Sequence, residues 1–193
     1  MSRIWRKADL TFIYSVMKSG KSLDLLKNAH IHRERQQKVL LLTSEKDGKN
    51  GLISTRVGLS EKAYVVEKVN LYHLAKTEAP DIIFIDEAQF LHEIQVLMLA
   101  RIVDRLHIPV VAYGLKTDFQ GKLFPGSEAF LRYADIIKEL EVPCLFCSNK
   151  AVLNMRVNKY NNPVWDGEQI EIGDNYQPVC RKCYFDHQRN ENF

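Results

Sequence analysis

Three groups of residues in this 193-residue chain have types and spacings that can do chemistry. The first is Ser15-Val16-Met17-Lys18-Ser19-Gly20-Lys21-Ser22, which ends in the Gly-Lys-Ser of a Walker A phosphate loop. Backbone N–H groups at a helix N-terminus cradle phosphate oxygens, a lysine placed as Lys21 neutralises the β- and γ-phosphates, and a hydroxyl placed as Ser22 ligates Mg²⁺. Ser15 stands where the motif has glycine, so any need for positive φ there falls on a residue with a Cβ. The plainer reading is a helix start capped by Ser19 with a surface lysine behind it.

The second group is Ile82-Ile83-Phe84-Ile85-Asp86-Glu87, the form of a Walker B strand whose terminal carboxylate reaches the Mg²⁺ shell. Asp86 fits that role. Glu87 points differently and can accept a proton, either from water in an ATPase or from a substrate hydroxyl in a kinase. In the bland alternative Asp86 caps a helix and Glu87 is solvated. The third group holds all 4 cysteines, as Cys144-x-x-Cys147 and Cys180-x-x-Cys183. Two such knuckles can face one tetrahedral Zn²⁺, and four thiolates leave no open coordination position, so the metal would organise the fold and not activate water. The competing reading is buried or redox-active thiols. The 6 histidines, His30 and His32 among them, form no better metal set.

Positioning these groups requires an alternating chain. Leu10 to Tyr14 reads as a strand, and Leu23, Leu25, Leu26 and Ala29 lie at near-helical spacing after the phosphate loop. Val39 to Leu42, Ala63 to Val66, Ile82 to Ile85, Val110 to Tyr113 and Ile136 to Leu140 read as further strands; their continuous apolar runs favour a parallel sheet buried on both faces. Helices are expected over Leu71 to Lys76, Ile94 to Leu106 and Ser127 to Tyr133, and loops over Lys46 to Gly51 and Gly114 to Gly126. Asp47, Lys49 and Arg56, in the polar stretch after the second strand, can help to hold phosphates or can simply be solvated. From Glu141 onward no helical period survives. The expected organisation is an α/β phosphate-loop nucleotide-binding domain over 1–140, a parallel sheet flanked by helices; a small ribbon-like zinc-binding lid domain over 141–187; and a flexible tail over 188–193.

Composition narrows the partners. Hydrophobic residues make up 46% and charged residues 26%, which disfavours disordered, fibrous and coiled-coil classes. The formal net charge of +3 gives no reason to expect nucleic acid or a membrane as partner. No apolar run is long enough to span a bilayer, and no apolar core follows the charged Met1-to-Lys7 stretch, so the expected location is the cytoplasm.

Taken together, these motifs resemble the cytosolic, zinc-containing type II thymidine kinases, in particular a bacterial branch that also begins its phosphate loop with Ser. The resemblance is carried by Met17 to Ser22, Asp86-Glu87-Ala88-Gln89-Phe90, Tyr113 to Phe119, the four cysteines, and Ile172-Gly173 followed by Tyr176 to Arg181. It implies ATP with Mg²⁺ as phosphoryl donor, structural Zn²⁺ on Cys144, Cys147, Cys180 and Cys183, and transfer to the 5′-hydroxyl of thymidine or deoxyuridine. Nucleotide would sit on Ser15, Val16, Met17, Lys18, Ser19, Gly20, Lys21, Ser22, Asp86, Glu87, Ala88 and Gln89, with Glu87 as general base. Gln169, Ile170, Glu171, Ile172 and Gly173 would close over the nucleoside by backbone hydrogen bonds, and Met17, Phe90, Leu115, Phe119 and Tyr176 would line the base pocket. A homotetramer inhibited by dTTP is a further implication. Two other classes compete: a nucleic-acid-dependent phosphate-loop ATPase with a zinc ribbon, and a non-enzymatic zinc protein with a lapsed loop. Against the first stand the missing second lobe and the absence of a basic stripe; against the second stand the intact Lys21, Ser22, Asp86 and Glu87.

Overall fold

The computed structural model describes residues 8–47, 50–169 and 175–189. In chain order its elements are β1 (Leu10–Ser15), α1 (Lys21–Glu34), β2 (Val39–Thr43), β3 (Leu52–Ser54), β4 (Ser60–Lys62), β5 (Tyr64–Val65), α2 (Leu71–Glu78), β6 (Ile82–Ile85), α3 (Glu93–Leu106), β7 (Val110–Leu115), α4 (Pro125–Tyr133), β8 (Ile136–Glu139), β9 (Leu153–Arg156), β10 (Tyr176–Val179) and α5 (Arg181–Arg189). Six strands form one sheet in the order β5-β2-β6-β7-β1-β8, every neighbouring pair parallel.

Side chains alternate across these strands, so the apolar runs serve two cores at once. Leu40, Leu42, Ile83, Ile85, Val110 and Ala112 pack on one face with Val96, Leu99, Ile102 and Val103 of α3 and Phe130 of α4. Leu41, Ile82, Phe84 and Tyr113 pack on the other with Leu25, Leu26 and Ala29 of α1. The three-and-four spacing along α3 gives it one apolar stripe to bury, and its first turn is closed by a reciprocal capping box between His92 and Gln95. Pro125 occupies the first turn of α4, where its missing N–H costs nothing. Because every strand runs the same way, Ser15, Asp86 and Leu115 emerge at one carboxyl edge, the edge where open α/β sheets bind ligands.

The expected strands and the first four helices are all present, with the expected ends of the strands and of α2 to α4 met to within two residues and α1 running on past Ala29 to Glu34. Two features depart from the sequence reading. Residues 52–62, which the sequence reading left unassigned, form an antiparallel hairpin of β3 and β4 that lays Ile53 onto the α1 core. Beyond Glu141, where no helix was expected, α5 follows the second cysteine pair. Its residues are mostly polar, so periodicity cannot reveal it; it is held through Cys183 and Tyr184, and the Tyr184 hydroxyl donates to the Phe119 carbonyl at 2.7 Å. The helix continues to Arg189, so residues 188 and 189 of the expected tail are helical. No helix among the described residues is long and apolar enough to cross a membrane.

Candidate active site

The phosphate loop joins β1 to α1. Ser15 is the last residue of the strand and has no positive φ; the left-handed positions are Lys18 (φ 61°) and Gly20 (φ 81°). Serine at the first motif position is therefore unstrained, and its hydroxyl instead donates to the Leu140 carbonyl. Gly20 precedes the first turn of α1 with no side-chain cap, so Ser19 does not play the capping part of the plainer reading. Lys21 Nζ folds back over the loop, donating to the Val16 carbonyl at 2.8 Å and to Ser19 Oγ at 3.3 Å. Alternating left-handed residues just before a helix turn successive N–H groups toward one concave point, the geometry that holds an anion.

Facing this loop across the sheet edge is Asp86, 1% exposed. Ser22 Oγ donates to Asp86 Oδ2 at 2.7 Å, whereas Oδ1 is buried with no hydrogen-bond partner among the described residues. Burial, reinforced by the neighbouring Glu87 charge, pushes the Asp86 carboxyl up to about 7 against the smaller opposing pull of the Ser22 hydroxyl, the Lys21 charge and the Glu87 backbone N–H. A buried carboxylate oxygen without a partner, beside a serine hydroxyl, is a donor set short of one cation, and hard oxygens of this kind suit Mg²⁺. Asp86 and Ser22 therefore fit a magnesium ion.

Glu87 adopts a left-handed conformation (φ 54°, ψ 36°) at the start of a short 3₁₀ turn, Ala88–Phe90. It is not freely solvated: Gln89 Nε2 donates to Glu87 Oε2 at 2.6 Å, and Gln89 Oε1 accepts from the Leu115 N–H at 3.0 Å. Gln89 is fully buried, so it acts as a strut between the 3₁₀ turn and the end of β7. Glycine is required nearby. A Cβ on Gly126 would lie 2.4 Å from the Ala88 carbonyl oxygen and 2.8 Å from those of Gln89 and Leu91.

The expected base-pocket residues fall into neighbouring groups. Phe119 and Tyr176 are both buried and face the same guanidinium, Arg156, which lies 4.6 Å and 6.0 Å from their ring centroids. Leu115 and Phe90 flank Gln89, and Phe90 meets Phe124 edge to face at 5.8 Å. Gln169 Nε2 donates to Asp118 Oδ2 at 2.9 Å, tying the start of the expected lid to the loop after β7. Ile170, Glu171, Ile172 and Gly173 lie outside the described residues, as do Lys49 and the Asp47 side chain; Arg56 is exposed beyond β3.

Two residues missed in the sequence complete the site. Strand β9 alternates: Met155 and Val157, just after it, point into the small C-terminal core, while Asn154 (2% exposed) is buried against the phosphate loop and Arg156 (5%) against Phe119, Tyr176 and the Glu168 carbonyl. Asn154 Oδ1 accepts from the Met17 N–H at 2.7 Å, and Asn154 Nδ2 donates to the Thr117 carbonyl at 3.1 Å. The signal available beforehand was the strict period-2 pattern of Leu153-Asn154-Met155-Arg156-Val157.

The four cysteine sulfurs all lie within 4.8 Å of one another, and Cys147 is 3.7 Å from both Cys180 and Cys183. Four ligands at a Zn–S distance of roughly 2.3 Å span tetrahedral edges of about 3.8 Å, so the set is already zinc-sized. Hydrogen bonding from the Cys183 N–H brings the Cys180 thiol down to about 7, while the Cys183 thiol, bonded to the Cys180 sulfur, is pushed up to about 12. The four thiols thus influence one another through hydrogen bonds, as closely grouped metal-ligand candidates do.

A family model described as thymidine kinase matches residues 8–184. The chain is 45% identical over 184 residues to a thymidine kinase of Shouchella clausii, covering 92% of this chain and 96% of that one. It is also 45% identical over 185 residues to a thymidine kinase of Lactiplantibacillus plantarum, with the same coverage. Among solved structures, AMPPCP-bound DnaA from Aquifex aeolicus superposes with a TM-score of 0.44 at 16% identity, covering 69% of this chain and 41% of that one.

Proposed function

The chain belongs to the thymidine kinase family, and we propose that its catalytic centre is the cleft between the phosphate loop and the ends of β6 and β7. The activity is phosphoryl transfer to a nucleoside, with ATP as the donor that kinase membership implies. The single observation that carries the site assignment is the buried Asp86 carboxylate: Oδ2 accepts from Ser22, and Oδ1 is buried with no geometric hydrogen-bond partner among the described residues, close to the charges of Lys21 and Glu87.

In this reading the loop N–H groups and Lys21 hold the β- and γ-phosphates of ATP, and Ser22 and Asp86 hold Mg²⁺. The ion, when bound, neutralises charge on the β,γ-phosphate oxygens. Glu87, steadied by Gln89, takes the proton from the 5′-hydroxyl of thymidine or deoxyuridine as that oxygen bonds to the γ-phosphorus. The bond from the γ-phosphorus to the β,γ-bridging oxygen breaks, leaving ADP and the nucleoside monophosphate. Phe119, Tyr176, Leu115, Phe90 and Met17 supply apolar surface for a pyrimidine, and the segment 169–173 closes over it and excludes water. Cys144, Cys147, Cys180 and Cys183 hold structural Zn²⁺. The division of labour follows the chain, with residues 1–140 as nucleotide domain and 141–187 as lid. Family membership supports a cytoplasmic homotetramer restrained by dTTP.

The test is to incubate purified protein with radiolabelled thymidine and MgATP and score dTMP. ATP hydrolysis is followed in parallel with and without single-stranded DNA. We expect thymidine-dependent dTMP formation and little hydrolysis. DNA-stimulated hydrolysis without dTMP would overturn the assignment in favour of the ATPase reading.

A further inference from the structure

The small cysteine-bearing segment does more than close over a nucleoside: we infer that it holds the phosphate loop itself in shape, through Asn154 as a positioning residue. The inference rests on the reading that Ser15 to Ser22 bind the phosphates of ATP. Strand β9 is anchored on the cysteine side by Met155, with Val157 next to it, both packed against Cys144, Cys180 and Tyr184. Because side chains alternate, that same anchoring aims Asn154 at the opposite side, where it meets two backbone segments at once. Its carbonyl oxygen accepts from Met17, on the approach limb of the loop, and its amide donates to Thr117, just beyond β7. One buried amide thus ties the phosphate loop to the strand next to β1 and to the cysteine-bearing segment.

The chemistry of the pair explains why a primary amide stands here. Met17 presents a donor and Thr117 an acceptor, and asparagine offers one complementary group to each within a single rigid plane. Met17 lies before both left-handed residues, Lys18 and Gly20. Fixing its N–H sets the path of the backbone into the curled part of the loop without using the amides of the helix's first turn, which face the anion. A leucine of similar size would leave a donor and an acceptor unmatched, and such groups are costly when they are not resatisfied. The loop would then relax toward water, and phosphates would meet a less organised cradle.

The test compares wild-type protein with Asn154→Leu, measuring bound zinc, MgATP binding by thermal shift or a fluorescent ATP analogue, and the KM values for ATP and thymidine. The expected result is full zinc content with MgATP affinity and KM for ATP worsened about fivefold or more, and a smaller change in KM for thymidine. If Asn154→Leu does not reach wild-type zinc content, Asn154→Ser carries the test. Its hydroxyl can both donate and accept, but it is a single atom on a shorter side chain and does not reproduce the amide's two separated groups, so MgATP binding weaker than wild type is expected. Wild-type MgATP affinity in the zinc-replete variant overturns the inference, and so does a defect confined to thymidine, which would place Asn154 in the nucleoside pocket alone. MgATP binding is read without any phosphoryl transfer. A wild-type protein that binds MgATP but makes no dTMP therefore counts against the proposed function and leaves the Asn154 comparison intact.

Discussion

Two regions deliver polar side chains to the same cleft by different means. Asp86 and Glu87 stand at the end of β6, whose four residues are all buried between α1 on one face and α3 and α4 on the other. Asn154 and Arg156 stand on β9, backed among the described residues by a cluster of six buried residues, two of them cysteines, with Leu153, Trp165 and Cys183 packed at its edge. The first region is positioned by the hydrophobic effect over a whole sheet. The second has a much smaller apolar core, and in the proposed reading it takes rigidity from the metal that the four-cysteine cluster would hold. In the proposed reading, the acidic groups assigned to chemistry sit on the large sheet core, and Asn154, assigned to hold the neighbouring backbone, sits on the small cysteine-bearing core.

The sharpest test of this contrast is Glu87→Gln, which alters chemistry and leaves both scaffolds intact. kcat should fall about 10² to 10⁴-fold with MgATP binding and zinc content preserved, measured by steady-state kinetics and ligand-induced thermal shift. Near-wild-type kcat would remove Glu87 from the general-base role. Cys180→Ser strikes the other region. Zinc should be lost, proteolysis between Lys150 and Tyr176 should accelerate roughly tenfold or more, and both thymidine and MgATP should bind less tightly, since Asn154 loses its backing. Retention of MgATP affinity would show that the two regions are independent.

The kinase core was legible because its signals are local and redundant. Val39 to Leu42 and Ile82 to Ile85 are continuous apolar runs, and Gly20-Lys21-Ser22 needs only a strand before it and a helix after it. The small C-terminal segment was legible only through its cysteines. Helix α5 is only nine residues long and mostly polar, with Cys183 and Tyr184 as its contacts to the small core, so too few apolar positions repeat for its period to be read. Asn154 and Arg156 looked like ordinary polar positions, for their partners are 137 residues away at Met17 in one case and, in the other, the ring of Phe119, contacts that no local pattern encodes. The worry over Ser15 dissolved for a related reason: sequence alone does not say which loop residue takes positive φ, and here Lys18 and Gly20 do.

Gly126→Ala probes the core side by a gentler route. The added methyl would collide with the carbonyls of Ala88, Gln89 and Leu91, so α4 and the 3₁₀ turn behind Glu87 must separate. We expect a loss of about 1 to 3 kcal/mol, roughly 2 to 10 °C in Tm, and a several-fold fall in kcat with unchanged zinc content. Wild-type kcat despite the lower Tm would mean that Glu87 is placed by the Gln89 strut alone.

The last effect is one of opposite sign and is read in stability alone, because it removes a carboxylate that the core keeps buried. Burial and the Glu87 charge raise the Asp86 carboxyl to about 7, above its ordinary value of 3.8, while Ser22 and Lys21 offset only part of this. Between those two values the folded chain binds the proton that the unfolded chain has already released, so folding stability falls as pH rises through this window and the loss is complete above about 7. Asp86→Asn carries no such charge. Without added Mg²⁺ or nucleotide, the advantage of the variant should be smallest at and below the ordinary value of 3.8 and grow progressively up to pH 8, where a gain in Tm of roughly 3 to 10 °C is expected. Added MgATP should raise the wild-type Tm and leave that of Asp86→Asn much less changed, since the variant lacks the carboxylate assigned to the ion. Equal stability of the two proteins at pH 8 would show that the buried carboxylate is already neutralised within the fold, and the β6 end would then not be a site held in readiness for a cation.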